Sequence, residues 1–343
     1  MSRLAAALAT FGLGALVALL GSPALLEAWL LGFVLVAGIS AGALGMLMLG
    51  HLLHSKGLPA VRPTLEALAG AVPVAALLAL PVLLGVEHLY PWAGDGAGWL
   101  AVPPWREAWF QPGLFRLRTL LALALWAVLA WWMARPGIHP WRAAIGLILL
   151  VPSSALAAQD WVMSRDPTWY GSLQGVAFIV QQGAAAMALA LLLMVARRGL
   201  PEEERARGLE RTLLTLAVAT LWLWFVQFVV AYAADLPEEA HWYLRRMDGW
   251  GWFKLGFVVP ALVLAIVFGG PPEWRPWRVA VVSALVLAAQ VGHMLWLLRP
   301  DAPGIPPPPW LDALVLPVIG VAWTMWWLPA LRRARLAGRL RPA

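Results

Sequence analysis

A chain of 343 residues that is 62% hydrophobic and only 13% charged, with a mean hydropathy of +0.75, carries too little charge to cover a soluble domain. The formal net charge of +7 sits in loops and tails rather than in a clustered patch, which sets nucleic-acid binding aside. The sequence contains no cysteine, so it offers no thiolate for an iron–sulfur cluster and no Cys-x-x-Cys-His for covalent haem.

Apolar runs fall at 4–21, 24–52, 63–86, 114–134, 142–162, 170–196, 211–233, 251–269, 278–298 and 311–331. Each can cross roughly 30 Å of hydrocarbon, so the chain reads as an all-α polytopic membrane protein with about ten transmembrane helices. A single integral membrane domain over 1–343 follows. The second run is too long for an upright crossing and implies tilt or a helical extension. Residues 1–24 look like a signal peptide, with Arg3, an apolar stretch and Gly21-Ser22-Pro23-Ala24. The small-x-small pattern is poor, however, and a retained helix is expected.

With the N-terminus inside, 17 of the 25 basic residues fall in inner loops and tails, and the other 8, Lys254 among them, fall outside. That bias predicts cytoplasmic termini and an even number of spans. The 23 tryptophans gather near span ends, as Trp29, Trp92, Trp161, Trp169 and Trp242 do on the outer side and Trp141, Trp277 and Trp327 on the inner. Such positions suit interfacial anchors.

The outer loops 87–113 and 234–250 are too long for mere connectors and are expected to bind or seal something. Arg245 and Arg246, with Glu238 and Glu239, are partner-docking candidates there. The inner run 197–211, with mixed signs, reads as a solvated turn and helix cap.

Polar groups inside apolar spans carry the functional signal, because each is costly unless paired or facing water. Glu27, Asp160, Gln181, Gln182, Gln227, Gln290 and His293 are the proton-path candidates. Gln290 and His293, three apart, share a helix face. The competing explanation for all seven is interhelical hydrogen bonding. Ala37, Ala41 and Gly45, at four-residue spacing, mark close helix packing. The six histidines, His51, His54, His88, His139, His241 and His293, form no obvious pair at matching depth for a bis-histidine haem. The chain itself is therefore expected to bind no metal and no resident cofactor.

Residues 158–170, with Asp160-Trp161, Met163-Ser164, Asp166-Pro167 and Trp169-Tyr170, closely resemble the Asp-Trp-x-Met-Ser-x-Asp-Pro-x-Trp-Tyr segment of the ActF-type membrane subunit of alternative complex III. The wider relatives are the NrfD/PsrC-like membrane subunits. Three further segments resemble that family in the same order: Leu58 to Ala67 with Arg62 and Glu66, Leu89-Tyr90-Pro91-Trp92, and Gln227 to Glu239. Asp235 and Thr168 depart from its pattern, where asparagine and histidine are usual.

The resemblance implies two NrfD-like four-helix bundles plus flanking helices. It implies a non-redox subunit of a quinol:electron-acceptor oxidoreductase in a bacterial inner membrane, contributing proton-path, quinone-side and docking functions. A second NrfD-like subunit, an iron–sulfur subunit and c-type cytochrome subunits are the implied partners, with a terminal oxidase as a further one. Quinone-side candidates on the resembling segments are His88, Tyr90, Trp161, Trp169 and Tyr170. The family's better-supported quinol pocket lies in the sister subunit.

Two other classes stay open on sequence alone. One is a secondary transporter, with Pro260 or Pro317 marking a broken helix. The other is an assembly factor or anchor for a terminal oxidase.

Overall fold

Prolines punctuate this chain where its helices start. The computed structural model describes residues 3–94, 104–135, 138–167, 169, 171–197, 203–234, 237–303 and 306–339. Fifteen α-helices run through them: α1 (Arg3–Leu20), α2 (Pro23–Leu52), α3 (Leu58–Ala69), α4 (Val72–Leu84), α5 (Val86–Leu89), α6 (Pro104–Trp109), α7 (Pro112–Met133), α8 (Pro140–Trp161), α9 (Gln174–Ala196), α10 (Glu203–Ala234), α11 (Pro237–Leu244), α12 (Gly249–Phe253), α13 (Val259–Gly269), α14 (Pro276–Leu298) and α15 (Pro309–Arg339). No strand occurs among the described residues. Pro23, Pro112, Pro140 and Pro276 occupy first helical turns, where the missing N–H costs nothing and φ is already set. Gly21, at φ +59°, separates α1 from α2 in a conformation that a β-carbon resists.

Nine helical stretches among the described residues are long and apolar enough to cross a membrane, which makes this a multi-pass membrane protein. The first predicted run also forms a helix, but its apolar stretch, Leu8–Leu20, is shorter than the rest. Helices α3 and α4 make one crossing, broken at Gly70 and Ala71 just before Pro73. A similar interruption joins α12 to α13. There a π-helical turn, Lys254–Val258, precedes Pro260, which has no N–H to give the carbonyl four residues back. The Val259 N–H instead reaches the Lys254 carbonyl, five residues back. Pro317, by contrast, lies within the continuous α15.

Packing sorts the spans into two groups of four. Helices α2, α3–α4, α7 and α8 form one bundle, and α9, α10, α12–α13 and α14 form the other. α9 packs on both α2 and α8, joining the bundles, while α1 and α15 lie alongside the first. Almost all of α2 is buried, so it serves as the shared axis.

Close approach of α2 to α9 is set by glycine. A β-carbon on Gly38 would collide with the Gln182 side chain, and one on Gly42 with the Gln182 backbone. Ala37 and Ala41 are buried as expected, and Gly45 faces Leu150 of α8.

Several tryptophans expected as interfacial anchors are core residues instead. Trp29, Trp92, Trp161, Trp169, Trp242 and Trp327 are all buried. Trp29 donates to the Leu78 carbonyl and Trp161 to Thr119, so these rings meet protein rather than headgroups. Trp141, Trp252 and Trp277 are exposed, as anchors should be.

Candidate functional site

At the end of the molecule where α2 and α15 begin and α8 and α14 finish, charges are gathered inside the protein. Glu27, in the first turns of α2, accepts two hydrogen bonds from the Arg165 guanidinium, at 2.7 and 3.0 Å. Arg165 also donates to the Leu89 carbonyl at 2.6 Å. Arg299 donates to the Glu27 carbonyl at 3.1 Å and holds Asp312 of α15 at two points. Alongside, Arg246 pairs with Asp301, and Arg245 with Asp166. Four arginines and four carboxylates thus neutralise one another, and all but Arg245 are buried. Matching charge and donors in this way is what makes burial tolerable.

Arg246 was expected at a docking surface and is corrected to an interior residue. Its guanidinium lies 3.6 Å from the Trp242 ring centroid and donates to the Trp242 and Leu297 carbonyls at 3.0 and 3.1 Å. Burial draws its ionisation down from the ordinary value, against the pull of Asp301. Arg245 is exposed over part of its side chain. The side chains of Glu238 and Glu239 lie outside the described residues.

Asp160, near the end of α8, is buried and held at two points by Arg118 of α7, at 2.8 and 2.9 Å. The pair closes one end of a cleft of about 180 Å³ between α7 and α8. Glu27 and Asp160 therefore enter the structure as halves of ion pairs.

The loop segments beyond the helices form an aromatic cover over the first bundle. Tyr90 packs against Trp92 and Phe115, with centroids 5.4 and 4.9 Å apart, and its hydroxyl donates to the Trp161 carbonyl at 3.2 Å. Burial holds that hydroxyl protonated well above the usual tyrosine range. Trp161 donates to Thr119 at 3.0 Å, and Trp169 stacks on Trp242 with centroids 3.9 Å apart. His88 is exposed, and Tyr170 lies outside the described residues. Of the quinone-side candidates, Trp161 lines the cleft between α7 and α8, and Trp169 lines a small cavity beside Gln227.

The second bundle holds a different arrangement, which the sequence reading missed. Lys254, read as an outer charge, lies in the π-helical turn and is partly buried within the bundle. Its Nζ is 2.6 Å from His293 Nδ1 and 3.5 and 4.7 Å from the ring centroids of Trp224 and Trp296. Trp224 in turn lies against the His293 ring, 4.0 Å between centroids, and donates to Gln181 Oε1 at 3.2 Å. Nearer the ionic end Gln227 donates to Gln174 at 3.1 Å. Of the proton-path candidates, Gln181 and His293 therefore share one cluster, and Gln227 sits three residues from Trp224 on the same helix. Gln290 is buried on α14 with its Nε2 unpartnered, and Gln182 is the wedge against α2 with both amide atoms unpartnered. Lys254 could have been found from its place inside the run 251–269, where a lysine is costly.

No group of three or more His, Cys, Asp or Glu side chains converges as a metal site among the described residues. No family model and no curated protein matches the sequence.

Proposed function

We propose that the chain is a non-redox membrane subunit of a respiratory quinol:electron-acceptor oxidoreductase of the alternative complex III kind. In this reading it sits in a bacterial inner membrane with both termini cytoplasmic. Supporting it is the way the resembling segments interlock. Tyr90 and Trp161, 71 positions apart, are joined by a hydrogen bond, and Arg165 bonds Leu89. The stretch that follows Glu239 adds Trp242 on Trp169 and Arg245 on Asp166. The arrangement of two four-helix bundles with two flanking helices has the form the resemblance implies.

Electrons pass through c-type haem and iron–sulfur partners, while this chain supplies a rigid docking end and a proton route. The docking end is the ionic face, whose exposed Arg245 and folded loop segments are pinned from within by buried pairs. A secondary transporter would also account for a wide helical turn beside an intramembrane lysine.

Purification of the chain from its native membrane in mild detergent separates the two. Stoichiometric haem c and iron–sulfur subunits are expected to accompany it. Recovery as a solitary protein that binds a small solute would replace this reading with transport.

A further inference from the structure

Cations inside this protein come in two chemical kinds. Arg165, Arg246, Arg278 and Arg299 are buried, and each is joined to a carboxylate: Glu27, Asp301, Glu210 and Asp312 in turn. Lys254 has no carboxylate within ion-pair distance among the described residues; an imidazole and two indole faces surround it. The choice of lysine is itself informative, because the chain has only two, Lys56 and Lys254, among its 25 basic residues. Arginine keeps its charge and suits a permanent pair. Lysine can release its proton, and imidazole can take one.

We propose that Lys254 and His293 form an intramembrane proton-carrying pair, holding one exchangeable proton between Nζ and Nδ1. The inference deepens the proton-route part of the proposed function and rests on that reading for its physiological role. Transfer breaks one Nζ–H bond and forms one Nδ1–H bond, turning ammonium into amine and imidazole into imidazolium with no change in total charge. Loss of the other ring proton from Nε2 to water completes the exchange.

The fold supplies the positioning. Pro260 enforces the wide turn, and the turn presents Lys254 between α10 and α14. Trp224 and Trp296 favour the cation through their ring faces without fixing it to an opposite charge. The side chains turned toward the pair are neutral: Gln181 from α9, Trp224 from α10 and Trp296 from α14. Arg246, 5.6 Å from the Trp296 ring centroid, is paired with Asp301. Any charge on the pair of Lys254 and His293 therefore has no carboxylate within ion-pair distance to offset it among the described residues.

A route to the ionic end is sketched by unpartnered polar atoms. His293 Nε2, Gln181 Nε2 and Gln174 Nε2 are buried with no hydrogen-bond partner. Gln174 meets Gln227, which lines a cavity of about 10 Å³ with Trp169, Ser172 and Tyr243. That is room for about one water, the natural partner for such orphaned groups.

The test uses the full chain in lipid nanodiscs with ¹⁵N at lysine Nζ and in the histidine rings. Only two lysine resonances arise, and Lys254→Met or Lys254→Arg identifies one by its loss; His293→Gln identifies the ring signals. The pair predicts that both sets move together in one step as pH is varied over the range in which the fold is retained. His293→Gln should displace the Lys254 step by about one pH unit or more. A Lys254 resonance that stays constant across the range, or a step that His293→Gln leaves in place, overturns the pair. No respiratory partner is needed, so failure here leaves the subunit reading standing, and absent haem partners would leave this pair standing.

Discussion

Glu27 and Arg165, 138 positions apart in the chain, meet as a two-point pair at 2.7 and 3.0 Å with both side chains buried. Arg299 touches the same carboxylate at 3.4 Å. One acidic group in the first turns of α2 thus fastens the turn after α8, the end of α14 and, through Arg299, the start of α15. Both bundles are locked at this end by charge and free to be greasy elsewhere.

Glu27→Gln should therefore leave two buried guanidinium groups short of charge. Removing one member of such a pair costs about 3–5 kcal/mol. The expected result is a clear drop in thermal midpoint in detergent. Glu27→Gln with Arg165→Gln should recover part of the loss, because Arg299 still has Asp312. A midpoint unchanged by Glu27→Gln would show that the network contributes nothing.

Gly42→Ala tests the contact between α2 and α9. Its new methyl meets the Gln182 backbone, which cannot rotate away, so the helices must separate. Overpacking of this kind costs about 1–3 kcal/mol. Gly113→Ala, where a β-carbon meets nothing within 4 Å, is the matched control and should leave the midpoint in place. Equal behaviour of the two variants would contradict the packing.

Tyr90 gives a pH dependence with a definite sign. Its hydroxyl is held protonated in the folded chain above the ordinary value near 10. The folded state then binds a proton that the unfolded state has released, so the contribution is complete below about pH 10 and is lost as pH rises beyond it. Ultraviolet titration of the chain's 4 tyrosines should show one that ionises only as the fold is lost. In Tyr90→Phe that late step should vanish; its persistence would assign it elsewhere.

Asp160→Asn breaks the bidentate contact with Arg118, whose side chain is 17% exposed beside the cleft between α7 and α8. A fall in thermal midpoint is expected, partly restored by adding Arg118→Gln. Normal stability with slowed proton movement would instead make Asp160 a relay.

The spans were legible because hydrophobic length is a one-dimensional property, and Pro23, Pro112, Pro140 and Pro276 mark starts by chemistry that needs no partner. Glu27, Asp160 and His293 stood out because charge and imidazole are costly in apolar runs. The partners of Glu27 and His293 did not. Arg165 and Arg299 read as ordinary loop charges, since a pairing across 138 or 272 positions leaves no periodicity to detect. Lys254 was hidden for a related reason: it follows Arg245 and Arg246 closely and was counted with them. Pro260 announced a break in the helix, but the direction in which the wide turn aims Lys254 depends on Trp224 and His293 from other helices.

The most direct test of the functional account adds a reduced quinol to the assembly purified through this chain and follows the absorbance of haem c. The account predicts rapid haem reduction in partners that remain bound, and none when the chain is stripped of them. Recovery of the chain from native membranes in mild detergent without haem-bearing partners, or with bound partners whose haem c stays oxidised when quinol is added, would contradict it.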